Sequence, residues 1–64
     1  MSGTHRSDIH VGLLVNIVLK QDQRTGKLTQ GSVAKILTNS PTHPHGIKVR
    51  LTYGDVGRVK DILG

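Results

Sequence analysis

The chain has 64 residues, nine Lys and Arg against four acids (all Asp), and a formal charge of +5 at pH 7. That length supports one small domain near the lower limit for unaided folding, and the absence of Cys removes disulfides, thiolate zinc sites and cysteine nucleophiles. No apolar run approaches the roughly 18 residues of a membrane span and no signal-peptide core is visible, so a soluble cytoplasmic protein that favours polyanions is expected.

Residues 1–7 are polar and aperiodic and read as a flexible N-terminal tail, followed by one small β domain over 8–64. Ser7-Asp8 offers N-cap chemistry, and Ile9 and Val11 could anchor one short helical turn near residues 8–11, before Gly12. From Leu13 to Lys20 the run LLVNIVLK is β-branched and almost continuously apolar, which predicts a strand buried on one face and partly covered on the other. Gln21 to Lys27 is a polar connector turning at Gly26 and exposing Arg24 and Lys27; its backbone N–H groups could also cradle an anion. Leu28 to Leu37 reads as a second strand, with Gly31 marking a bend. Pro41 and Pro44 make Thr38 to His45 a loop.

Ile47, Val49, Leu51 and Tyr53 then alternate with Lys48, Arg50 and Thr52, and Val56 to Lys60 alternates again after Gly54-Asp55. A two-residue loop would push Arg58 onto the apolar face, so an odd loop is expected. A Tyr53-Gly54-Asp55 loop pairs Leu51 with Gly57 and Val49 with Val59, sets Lys48 opposite Lys60 and Arg50 opposite Arg58, and leaves Tyr53 buried at the end of the apolar face. Like charges directly opposed cost something like 0.2–1 kcal/mol per pair, a cost an anion would relieve. The same cations would also serve as a solvated face that protects a sheet edge.

A weak repeat runs through these elements. Gly31-x-Val33-x-x-Ile36-Leu37 matches Gly57-x-Val59-x-x-Ile62-Leu63, and Gly12-x-x-Val15-x-Ile17 parallels Gly46-x-x-Val49-x-Leu51. The apolar phase shifts after each valine, which predicts bulges near Lys35 and Lys60 that turn the following Ile inward. Two such hairpins pack naturally as an all-β barrel of four to five antiparallel strands.

The Gly12, Gly31 and Gly57-Arg58-Val59 phrasing resembles small SH3-like barrels of the KOW type, which recur in RNA-binding ribosomal and transcription elongation proteins. More extensively, the chain resembles the bacterial YwbE family. That likeness rests on Arg6-x-Asp8-Ile9, Val18-Leu19-Lys20-x-Asp22-Gln23-x-Thr25-Gly26, Ile36-Leu37-Thr38, His43-Pro44-His45-Gly46-Ile47-Lys48-Val49-Arg50-Leu51 and Gly57-Arg58-Val59. The resemblance implies the barrel and carries no activity with it.

His43-Pro44-His45, with His5 and His10 elsewhere, invites a metal reading, but two tail histidines are poor partners for a loop pair, and no metal or other cofactor is expected. Asp8, Asp22, Asp55 and Asp61 form no evident pair, and no nucleophile elbow, P-loop or dinucleotide fingerprint is present, so a non-enzyme is expected. With Tyr53 as the one aromatic residue, a stacking platform for bases is not expected either. The reading that remains is a module that binds RNA or DNA, RNA being the more expected. Lys48, Arg50, Arg58 and Lys60 would contact backbone phosphates, with Arg24, Lys27 and His45 nearby. A ribosomal surface or an acidic protein is the alternative partner, and a homodimer covering Leu14 and Val18 a third possibility.

Overall fold

Aliphatic residues alternating with polar ones, broken at glycines, build four antiparallel strands in the computed structural model, which describes residues 3–64. They are β1 (Leu14–Leu19), β2 (Thr29–Ile36), β3 (Lys48–Leu51) and β4 (Val56–Ile62). Each strand pairs with the next, and β4 returns to pair with β1, so the sheet closes into the expected small barrel and leaves no free edge. Among the described residues the helical elements are single 3-10 turns at Arg6–Asp8 and Lys20–Asp22, and no helix is long and apolar enough to cross a membrane.

The inward positions fill the interior with Val15, Ile17, Val33, Ile47, Val49, Leu51 and Val59, all essentially without exposure; Ile9 and Leu13 close one end. Complete burial stabilises by about 1.5–3 kcal/mol per side chain of this size, so the alternation alone explains why each strand has one fixed face. On the other face of β1, Val18 is also buried and Leu14 half-buried. The backbone of β1 is tied down alongside them: Gly57 lies against the Val18 backbone, and Leu63 N–H and Gly64 N–H both donate to the Leu14 carbonyl at 2.9 and 3.2 Å.

Both bulges fall where the apolar phase shifts. Ala34 is the extra residue where the β2–β3 register slips between Val33 and Lys35, and Lys60 is the extra residue of β4 opposite Asn16 and Ile17. Ile36 and Ile62 consequently pack, partly buried, against the core.

The weak sequence repeat is a two-fold repeat of register. Val15 pairs with Gly31 as Val49 pairs with Gly57, Val15 with Ile62 as Val49 with Ile36, and Ile17 with Val59 as Leu51 with Val33. Connecting bonds repeat too. Val33 N–H donates to the Leu13 carbonyl and Val59 N–H to the Ile47 carbonyl, both at 2.9 Å. Leu63 N–H reaches the Leu14 carbonyl as Leu37 N–H reaches that of Lys48, at 2.9 and 2.8 Å.

The β3–β4 hairpin keeps the expected parity but is offset by two positions. Val49 faces Gly57, Lys48 faces Arg58 and Arg50 faces Val56; the expected Leu51–Gly57, Val49–Val59, Lys48–Lys60 and Arg50–Arg58 pairs do not form. Its loop is Thr52-Tyr53-Gly54, closed by Leu51 N–H to the Asp55 carbonyl at 2.8 Å and Gly54 N–H to the Leu51 carbonyl at 2.9 Å. The reason lies in Gly54, whose φ of +92° suits the last position of a three-residue loop, where left-handed backbone is required. Tyr53 is therefore the middle loop residue and is 88% exposed, not the buried strand end expected of it.

Residues 3–7, most of the stretch read as a flexible tail, lie against the Pro41–Ile47 segment, while Met1 and Ser2 lie outside the described residues. Ile47 N–H donates to the Gly3 carbonyl (2.9 Å), His43 N–H to that of Thr4 (2.9 Å), and Arg6 N–H to that of Pro41 (2.8 Å). The helical turn expected near residues 8–11 sits at Arg6–Asp8, with His5 as its cap and no side-chain capping bond. By residue 12 the backbone is already tied to β2 through Gly12 N–H and the Val33 carbonyl at 2.8 Å, which leaves Val11 exposed while Ile9 enters the core.

Candidate nucleic-acid interface

Even-numbered positions of β3 point away from the core, so Lys48 and Arg50 stand on the outer surface, and the register gives each a cationic neighbour. Lys48 lies opposite Arg58 on β4, and Arg50 lies opposite Lys35 on β2. Lys60, the bulged residue, extends the row beyond Arg58. Two of these side chains are anchored by main-chain oxygens. Arg58 Nη1 donates to the Gly46 carbonyl at 3.1 Å, and Lys60 Nζ donates to the His45 carbonyl at 2.9 Å. Each spends one donor on the anchor and keeps others, since guanidinium carries five N–H groups and ammonium three.

Gly46 makes this close approach possible. Its φ is +102°, and a Cβ there would lie 2.3 Å from the Val59 carbonyl oxygen, so only glycine lets the loop lie against β4. The anchoring holds Arg58 and Lys60 along a groove of about 390 Å³. His43 and His45, Gln23, Gly26 and Leu28, and the buried Val18 complete its lining. A second groove of about 450 Å³ adjoins it, lined by Lys20, Lys48, Val56 and Gly57 and sharing Val18, Gln23 and Arg58 with the first. The two form one trough divided at Arg58.

His43 Nδ1 accepts the His45 N–H at 3.1 Å, and the two rings lie 5.9 Å apart between centroids. Partial burial, then the neighbouring Arg58 charge and His45, hold the His43 pKa below its usual 6.5. The unprotonated ring is the form that can accept that N–H bond. Among the described residues no three His or Asp side chains come together as a metal-holding group.

Of the residues picked out in the sequence, Lys48, Arg50, Arg58, Lys60 and His45 come to one side of the barrel. Arg24 and Lys27 are exposed on the adjoining connector, and neither lines the trough. Three of the connector's main-chain donors bond within it: Thr25 and Gly26 N–H reach the Asp22 carbonyl at 3.2 and 2.8 Å, and Lys27 N–H reaches Thr25 Oγ1 at 3.4 Å. Sequence reasoning missed Lys35, Lys20 and Gln23. The repeat held the signal for Lys35, because Val59 facing Ile17 implies Val33 facing Leu51, which brings Lys35 beside Arg50 once the bulge is counted.

A family model described as "Uncharacterized conserved protein (DUF2196)" matches residues 2–62. The chain is also 59% identical over 63 residues to the Bacillus subtilis (strain 168) protein named "Uncharacterized protein YwbE", a match spanning 98% of this chain and 97% of that one. No solved structure matches. On a family model covering nearly the whole chain and a relative aligned end to end, the chain belongs to the YwbE family of conserved proteins.

Proposed function

We propose that this barrel is a binding module for nucleic acid, RNA or DNA, which it holds by its phosphates along Lys35, Lys48, Arg50, Arg58 and Lys60. The observation that carries the reading is an asymmetry of charge on a symmetric frame. At four outward positions the first hairpin has Leu14, Asn16, Ser32 and Ala34 where its register equivalents in the second are Lys48, Arg50, Arg58 and Lys60; at a fifth the sign is reversed, Lys35 against Asp61. The same backbone geometry is therefore built once without cations at those four positions. Lys48 facing Arg58 within the second hairpin, and Arg50 facing Lys35 across the β2–β3 pairing, are like-charged cross-strand pairs whose repulsion a polyanion would offset.

Binding of this kind is neutralisation of phosphates with release of condensed counterions, and it carries little base readout. Amide shifts of the labelled chain on titration with a short structured RNA test it. Shifts at Lys35, Lys48, Arg50, Arg58 and Lys60 that fade as salt rises are expected. A silent spectrum at low salt would sink the reading and direct attention to an acidic protein partner.

A further inference from the structure

The charged row explains attraction to a polyanion but not why a concave trough lies beside it. We infer that the groove between the His43–Gly46 loop and the Gln23–Leu28 segment is a subsite for one nucleotide unit, with its phosphate at Arg58 and Lys60 and its base against Leu28. This rests on the polyanion reading and adds to it a place where a single unpaired nucleotide is enclosed.

Three features of the groove meet that chemistry. First, its lining is of two kinds. Arg58 and Lys60 supply donors and positive charge, while Leu28, 43% exposed, and Val18 supply apolar wall. A bare anion has no use for the apolar wall, whereas a nucleotide has a flat apolar base about one sugar away from its phosphate. Second, Gln23 carries both a donor and an acceptor on its side-chain amide and lines the same groove, which suits the polar edge of a base. Third, the cations are held in place before any ligand arrives, through the Gly46 and His45 carbonyls, so less rotamer freedom is lost on binding. At about 390 Å³ the groove lies at the small end of the range for ligand sites, about 300–1,000 Å³. The adjoining groove past Arg58, with Lys20 and Lys48, offers the next unit of a strand a second set of cations. A duplex keeps its bases stacked inside and cannot place one against Leu28, so the subsite selects single strands.

The test uses the full chain, labelled on amides and on Leu and Val methyls, at low salt. Separate titrations use uridine 5′-monophosphate, inorganic phosphate, and a short uridine oligomer. The monophosphate should move Arg58 and Lys60 together with the Leu28 methyls and the Gln23 side-chain amide, whereas inorganic phosphate should move the cations alone. Leu28→Ser, its fold checked by the amide spectrum before titration, should weaken the monophosphate about tenfold and leave inorganic phosphate unaffected. Equal responses to the two anions, with Leu28 and Gln23 unmoved, would overturn the nucleotide subsite. An oligomer that shifts Lys48 and Arg50 but leaves the groove silent would also overturn it, while the phosphate-binding face would stand. If the monophosphate fills the groove but no oligomer binds, the polyanion reading itself falls, and with it the assignment of the groove to a nucleic-acid strand.

Discussion

Exchanging Arg50, Arg58 and Lys60 for Asn, Ser and Ala would give the second hairpin the outward residues that the first already carries at Asn16, Ser32 and Ala34. The triple variant loses three positive charges while copying side chains that this backbone accommodates. If Lys35, Lys48, Arg50, Arg58 and Lys60 each contact a phosphate, the slope of log K against log salt on a single strand is about −3.5, and about −1.4 for the two that remain. Between about 50 and 200 mM salt the parent chain then loses roughly 100-fold in affinity and the variant about 7-fold. Fluorescence anisotropy with a labelled single-stranded RNA over that range reads both slopes. Two side-chain bonds, to the Gly46 and His45 carbonyls, are lost, along with the Arg58 stem that lies cross-strand from Val18. A stability cost of about 1–2 kcal/mol is expected from these losses, and a urea melt establishes that the variant is folded where binding is measured. An unchanged slope in a folded variant would refute the assignment of these cations to phosphate.

The equivalent glycines of the two hairpins should respond differently to Ala. At Gly57 a Cβ would meet the Val18 carbonyl oxygen at 2.3 Å, and backbone must move, whereas at Gly31 it would meet the end of Leu51 at 2.7 Å, which can turn. Urea denaturation should show Gly57→Ala costing about 3 kcal/mol and Gly31→Ala about 1; equal costs would contradict the packing described. At Gly46→Ala the positive φ adds to a clash with Val59, while Gly12→Ala has the φ of +93° alone with open space around it, so the first should unfold far more readily. Because folding lowers the His43 pKa, the unfolded chain takes up this proton first on acidification. The His43 contribution is therefore complete above about 6.5 and declines as pH falls from there through the lowered folded value; with Arg58 and His45 as the charged neighbours, His43→Gln should flatten that part of the urea-midpoint profile. Tyr53→Ala should leave stability within about 0.5 kcal/mol, since the ring stands in solvent at the loop tip.

Sequence alone determined the class of fold, because period-2 alternation leaves each strand only one face it can bury. Ile17, Val49 and Val59 are inside for that reason, and the phase shifts after Val33 and Val59 located both bulges. It also put Lys48, Arg50 and Arg58 outside, since parity is a local property. Tertiary structure decided everything that depends on offset and closure. Whether the loop ends at Gly54 or Asp55 changes no parity, yet it decides that Arg58 faces Lys48 and that Tyr53 is exposed. Lys35 joins Arg50 only across the β2–β3 pairing, and Lys60 reaches His45 only because the 43–46 loop lies against β4 where Gly46 permits it. The groove is likewise a product of closure: the Gln23–Leu28 segment, His43 and Arg58 lie far apart along the chain, and only the closed barrel sets them around one space.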